Sequence, residues 1–332
     1  MMNYEIFKEV VTEKFMEFMP EQYQNMKLDI HPVKKVNLTL DGMSLMGEGN
    51  VKVVPTLYIN EMYENYQKTN DLQEVMQEAA SKMEHLMKEV PSLVPAVDFG
   101  TAKDNIVFQL VNTEQNKEML LDTPNRAFQD LSIIYRWVVQ IGEEGIQSAV
   151  IHNKLAQSLE LSEEQLFQLA VENTRNILPP TVTSMNDVIR EMLMKEGMPA
   201  EIADMMIDEI PAERTMWVIS NDRGINGAIS MLYEDQLHGL AENLKTDLYI
   251  MPSSQHEVIA VSSEIGDPNE LAQIVEEINF EQVELSERLS NQVYHYDKDL
   301  RKLSLATDTP NKRLDGKDQE TGLIYQTEHP AR

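Results

Sequence analysis

Between Met216 and Tyr296, short runs of β-forming residues alternate with helical stripes, and no run is long enough to bury itself alone. That order dictates a compact α+β unit, because each strand pair needs the neighbouring helix to cover one face. Met216 to Ser220 and Ala228 to Leu232 read as strands around the turn Asn221-Asp222-Arg223-Gly224, and Glu234 to Leu244 reads as a helix. Leu248 to Met251 and Val258 to Val261 form a strand pair around Pro252-Ser253-Ser254. Asp267-Pro268-Asn269-Glu270 supplies a cap, a first-turn proline and an acid, opening a helix through Leu271, Ile274, Val275 and Ile278. Val293 to Tyr296 closes the unit as a strand.

The rest of the chain follows the same grammar. Ile6, Phe7, Val10, Val11, Phe15 and Phe18 repeat at helical spacing between the cap Asn3 and the stop Pro20. Val33, Val36, Leu38 and Leu40 predict strands turning at Asp41-Gly42, with Val51 to Val54 as a further strand. After a helical stretch leading from Pro55, Leu72, Val75, Met76, Ala79, Met83, Leu86 and Met87 form a stripe whose methionines read as core filler. Ile106 to Val111 and Leu131 to Val139 are strands, with Ser148 to Ile151 pairing to the second. Ser162 to Gln165 is a capping box for a helix over 163–176. Ser184 to Arg214 reads as a polar, methionine-rich helical connector. The predicted class is α+β, with mixed helices and mainly antiparallel sheets in two lobes. Its segments are 1–95, 96–215 with the connector, 216–300, and a disordered tail over 301–332.

Composition removes several classes of function. The chain of 332 residues has no cysteine, which excludes a disulfide framework, a thiolate metal site and a cysteine nucleophile. Glu5, Lys8, Glu9, Glu13 and Lys14 interrupt the N-terminus where an export signal needs an apolar core. No apolar run approaches the roughly 20 residues of a membrane helix, so the expected home is the cytoplasm. Net charge is −28, and the excess lies in the body: residues 1–298 hold 50 acidic and 22 basic residues, whereas 299–332 are balanced. Such a body repels phosphate backbones, predicting no direct nucleic-acid binding. It leaves three readings of the charge: solubility, attraction to a basic protein surface, and imitation of a nucleic acid.

Local chemistry is sparse. The seven histidines lack metal-ligand spacing, and His256-Glu257 lacks the second histidine of a helical zinc motif, so neither a metal nor a cofactor is predicted. The turn Ser253-Ser254-Gln255-His256-Glu257 gathers hydroxyl, imidazole and carboxylate groups at the mouth of a strand pair. Neighbours on a strand point to opposite faces, so these groups do not line up as a hydrolase triad. Asn221 opens a Gly224-containing turn without a phosphate-loop pattern, and Asn112 with Asn116 leaves a strand and enters a helix where amide side chains cap backbone. Asn112, Asn116, Asn221, Ser253, Ser254, His256 and Glu257 are the candidate binding residues, and no catalytic residue is assigned.

Asn105-Ile106-Val107-Phe108-Gln109-Leu110-Val111-Asn112, Asn116-Lys117-Glu118-Met119-Leu120, Pro124 and Phe128-Gln129-Asp130-Leu131 stand in a familiar order. Asp41-Gly42, Pro55 to Asn60 with Tyr63, Glu172-Asn173-Thr174 and Leu248 to Ile259 extend it. Over roughly residues 3–300 the chain resembles a family of uncharacterised proteins of Gram-positive bacteria, often associated with integrative and conjugative elements. The resemblance implies a mobile-element setting and no mechanism. The expectation is a non-enzymatic acidic protein that binds a basic protein partner. Its alternatives are a nucleic-acid mimic that blocks a host DNA-binding protein, and an enzyme with a site near Ser254, His256 and Glu257. Oligomeric state is left open.

Overall fold

Asn3 accepts a hydrogen bond from the Ile6 amide and starts helix α1 (Tyr4–Phe18), as its side-chain chemistry predicts. The computed structural model describes residues 1–47, 54–93, 102–142, 145–207, 215–308, 311 and 314–315. The predicted strand at 51–54 falls almost wholly outside them, as do residues 208–214 and 316–332. The chain divides into two units, Met1–Asp98 and Phe99–Arg332. The architecture is α+β throughout.

In the first unit, β1 (Lys27–Lys35), β2 (Leu38–Met46) and β3 (Thr56–Tyr58) form an antiparallel sheet in that order. The hairpin turns at Val36-Asn37 rather than at the predicted Asp41-Gly42, because Asn37 supplies the left-handed conformation (φ 61°) a two-residue loop needs. Gly42 sits inside β2, where a Cβ would lie 2.5 Å from Val33 Cγ2 and 2.9 Å from Thr56 Cγ2. Its glycine answers a close approach between strands and not a turn. Helices α2 (Ile59–Thr69) and α3 (Leu72–Leu93) join α1 over this sheet. Phe7, Val11 and Phe15 meet Met43, Leu45, Ile59, Met76 and Met83 in the core, so the methionine stripe of α3 is filler.

The second unit holds two further antiparallel sheets. β4 (Ile106–Asn112) and β5 (Asn125–Phe128) flank the first half of β6 (Leu131–Gly142). β7 (Gly145–Val150) takes the second half on the β5 side. Between them run α4 (Lys117–Leu120) and, after β7, α5 (Asn153–Ser158) and α6 (Glu163–Ile177). The predicted capping box at Ser162 and Gln165 is present, and α6 packs on β4, whose seven residues are all buried.

The third sheet has the order β13-β12-β10-β11-β9-β8, built from β8 (Pro180–Ser184), β9 (Trp217–Asn221), β10 (Leu248–Met251), β11 (Val258–Ser262), β12 (Tyr294–Asp297) and β13 (Lys302–Leu305). α7 (Met185–Lys195) and α8 (Ala200–Met206) lie between β8 and β9, α9 (Glu234–Leu244) precedes β10, and α10 (Pro268–Glu281) covers the sheet through Ala272 and Val275. Three readings change. β8 is a strand that begins at Pro180, tolerated because β8 is an edge. Residues 227–232 are a 3₁₀ helix and not a strand, since a short apolar run fits either when it is fully buried. β13 pairs with β12 where the sequence predicts the start of a disordered tail, and Asn311 and Leu314 also pack inward. No helix among the described residues is long and apolar enough to cross a membrane.

Tyrosine hydroxyls recur as clamps on carboxylates in this acid-rich chain: Tyr4 on Asp41 (2.7 Å), Tyr296 on Glu234 (2.6 Å), Tyr135 on Glu163 and Tyr294 on Asp130. Burial first, then the adjacent negative charge, raises all four phenols, Tyr296 to about 12 and the others further. An unfolded phenol ionises near pH 10, so this stabilisation is complete below about pH 10 and drains as pH rises through the folded values. In an alkaline titration of the eleven tyrosines, the clamped four should ionise only together with loss of near-ultraviolet circular dichroism. Smooth ionisation of all eleven with the fold intact would contradict the clamps.

Candidate functional site

The antiparallel β10–β11 hairpin delivers Pro252 to Glu257 to its open end, where the segment 284–292 runs alongside. The Leu289 amide donates to Ser253 O (2.9 Å), the Ser290 amide to Pro252 O (3.0 Å) and the Gln255 amide to Glu287 O (2.8 Å). The turn is therefore zipped to that segment by three backbone hydrogen bonds. Ser254 is buried, and its Oγ accepts from the His256 amide at 3.0 Å, a serine-held turn that leaves the hydroxyl engaged.

His256 is three-quarters buried at its side chain. Its Nδ1 accepts from the Asn226 amide (3.2 Å), which leaves Nε2 as the protonated nitrogen, and Nε2 faces the Glu287 carboxylate at 3.3 Å. Both ring nitrogens are thus occupied within the fold. Its carbonyl accepts from Ser220 Oγ (2.7 Å), and Gly227 is wedged beside it. A Cβ on Gly227 would stand 2.2 Å from Ser220 Oγ, 2.4 Å from His256 O and 2.9 Å from the Asn221 amide. Asn221 closes its own loop: Oδ1 accepts from the Arg223 and Ile225 amides and Nδ2 donates to Ile225 O (2.8 Å).

Asn112 approaches the turn from its other flank. Fully buried at the end of β4, it donates to Leu289 O (3.0 Å) and accepts from the Gln115 amide, while Asn116 donates to Asn112 O (2.9 Å). The structure brings Asn112, Ser253, Ser254, His256 and Asn221 to one junction between the two sheets of this unit. Their polar atoms hold backbone groups there. Glu257 follows as a half-buried residue immediately before β11.

Several members of the junction escape a sequence reading. Arg136 donates to Gln109 Oε1 (3.0 Å), Gln109 donates to Gln255, and Gln255 donates to Ser286 O (2.9 Å), a relay crossing from β6 to the turn. Burial pushes the Arg136 guanidinium below its ordinary range. Asp130, on the turn after β5, accepts from Ser290 Oγ (2.6 Å), Asn311 Nδ2 (3.0 Å) and the Tyr294 hydroxyl. Arg288 is fully buried and donates to Phe280 O (3.1 Å) and Val283 O (2.9 Å), capping the C-terminal turn of α10. None of these spacings carries a periodic signal, because the partners lie up to 181 residues apart.

Elsewhere in the unit an open cleft of about 600 Å³ lies against the start of β5, α5 and α6, lined by Thr123, Asn125, Asn153, Lys154, Gln157 and Glu163. It is separate from the predicted residues. Among the described residues no group of three or more His, Asp or Glu is arranged to hold a metal ion.

A family model described as a family of unknown function (DUF5688) matches residues 4–298. No curated protein and no solved structure matches the chain.

Proposed function

The chain belongs to a family of unknown function, DUF5688, and on that premise we propose that it is a non-enzymatic binding protein whose acidic surface takes a basic protein partner. The observation that carries the reading is the occupied imidazole. His256 accepts from the Asn226 amide at Nδ1 and faces Glu287 at Nε2, so it has no free lone pair to act as a base. The hydroxyl of Ser254 and the amides of Asn112 and Asn221 serve the backbone in the same way.

Charge supports the choice of partner. Arg126 ends on Glu163 and Glu164, Arg175 on Asp235, Arg190 on Asp187 and Asp204, and Arg301 on Glu234. Cations are consumed in pairs while the 50 acids of residues 1–298 exceed the 22 bases, leaving a surplus of carboxylate for an outside cation. In this reading the protein works in the cytoplasm of a Gram-positive host, carried by a mobile genetic element.

Affinity capture on the full chain at low and at raised salt tests the proposal. Captured partners should carry basic surfaces and be released by salt, because exposed charge contacts are screened beyond about 8 Å at physiological ionic strength. Capture should survive Ser254→Ala and His256→Ala in folded protein. Partners that are acidic, or that resist salt, would sink the reading.

A further inference from the structure

We infer that the face of the α7–α8 hairpin is the docking surface for this partner, and that the partner presents a basic amphipathic helix. The inference rests on the proposed function and deepens it.

α7 contributes no buried residue, and its apolar side chains fall at helical spacing. Val188 and Met192 are four residues apart, Ile189 and Met192 three, and all three are more than a third exposed. α8 repeats the pattern with Ile202, Met205 and Met206, the last two exposed by 87% and 63%. The hairpin is nevertheless held in place. Ser184 caps α7 through the Asp187 amide, the Met185 amide donates to Met216 O (2.8 Å), and Ala203 is fully buried. Arg190 ties the two helices by reaching Asp187 and Asp204, both at 2.6 Å. A tethered scaffold thus holds large apolar side chains of both helices in water, a mark of a contact surface. Three of the four most exposed are methionines, whose unbranched thioethers adapt to a partner's shape.

The occupant follows from the charge around the cluster. The same two helices and their connection carry Asp187, Glu191, Glu196, Glu201 and Asp204 against Arg190 and Lys195, and Arg190 is already paired with two of the acids. A second copy of the chain would bring the same acids against them, and so would an anionic lipid surface. A helix with an apolar stripe and flanking lysines or arginines meets both requirements at once. α7 spans roughly 16 Å at 1.5 Å per residue, so about three turns of partner helix are covered.

The test uses the full chain and a fluorescein-labelled synthetic helix of leucine and lysine, with leucine at helical spacing, followed by anisotropy. The parent should bind, and binding should weaken with salt. Met192→Gln/Met205→Gln/Met206→Gln, exposed positions whose replacement leaves the thermal unfolding curve in place, should weaken binding at least tenfold. Glu191→Lys/Glu201→Lys should do the same and flatten the salt dependence. Undiminished binding by the methionine variant overturns the hairpin assignment while leaving the proposed function standing, with the basic partner elsewhere on the acidic surface. No binding by the parent overturns the hairpin assignment and its helical occupant, and the proposed function is then decided by the capture at low and raised salt. A leucine and glutamate helix that binds equally well, or a dimer in sedimentation that the methionine variant dissolves, overturns the stated occupant.

Discussion

Gly227→Ala should lower the thermal midpoint of the second unit by about 6 to 12 °C. The added Cβ meets two backbone atoms, His256 O at 2.4 Å and the Asn221 amide at 2.9 Å, besides Ser220 Oγ at 2.2 Å. A flexible side chain can swing away, but the two backbone segments are pinned by the hydrogen bonds that close the Asn221 loop and the His256 turn. Overpacking of this kind costs about 3 kcal/mol, and each kcal/mol shifts the midpoint by about 2 to 4 °C at this size. Gly239→Ala is the matched control with the opposite sign. Gly239 lies inside α9 with no atom within 4 Å of its would-be Cβ, so alanine there should stabilise by about 0.5 to 1 kcal/mol. Calorimetric melts of the two variants beside the parent check both. Equal behaviour of the two alanines would mean that the turns do not close on Gly227.

Asp130→Ala should cost about 3 kcal/mol. Its carboxylate gathers Ser290, Asn311 and Tyr294, and Tyr294 and Ser290 are fully buried, so deletion leaves donors without water to receive them. Each such orphan costs about 1 to 3 kcal/mol, with losses that overlap when the groups share one network. Tyr294→Phe removes one donor and should cost less. The double variant should cost less than the two single losses together, because the phenol that Asp130→Ala strands is then absent. Denaturant unfolding of the four proteins measures the cycle. Strict additivity would show that Tyr294 and Asp130 do not depend on each other.

Elements announce themselves locally, and those were legible. Asn3, Ser162 and Asp267 each act as the cap that their side chains predict, and the runs at 106–111, 248–251 and 258–261 are strands because their β-forming residues need a sheet to cover them. Errors arose where two physical solutions share one pattern. Asp41-Gly42 has the composition of a hairpin turn, yet the glycine was required by Val33 and Thr56 across the sheet. Ala228 to Leu232 is apolar enough for a strand and short enough for a buried 3₁₀ turn.

The junction was half legible. Asn112, Asn116, Asn221, Ser254 and His256 stand out because amides, hydroxyls and imidazole cluster near strand ends, and the structure does place most of them together. Their partners were not legible, since Glu287, Ser290 and Tyr294 reach the junction through long-range pairing and carry no spacing of their own. Residue type also left the role open. An asparagine that caps Leu289 O and one that binds a ligand look the same in a sequence, and only the hydrogen bonds of Asn112 to Leu289 O and from the Gln115 amide separate the two readings.

The central claim, that an acidic surface binds while the Asn112–His256 junction is structural, is tested most directly by calorimetric titration of the full chain with the leucine and lysine helix at two salt concentrations, using the parent and His256→Ala. The account predicts binding that weakens with salt and is the same in both proteins. Binding that is indifferent to salt, or that disappears with the imidazole while the protein remains folded, would contradict it.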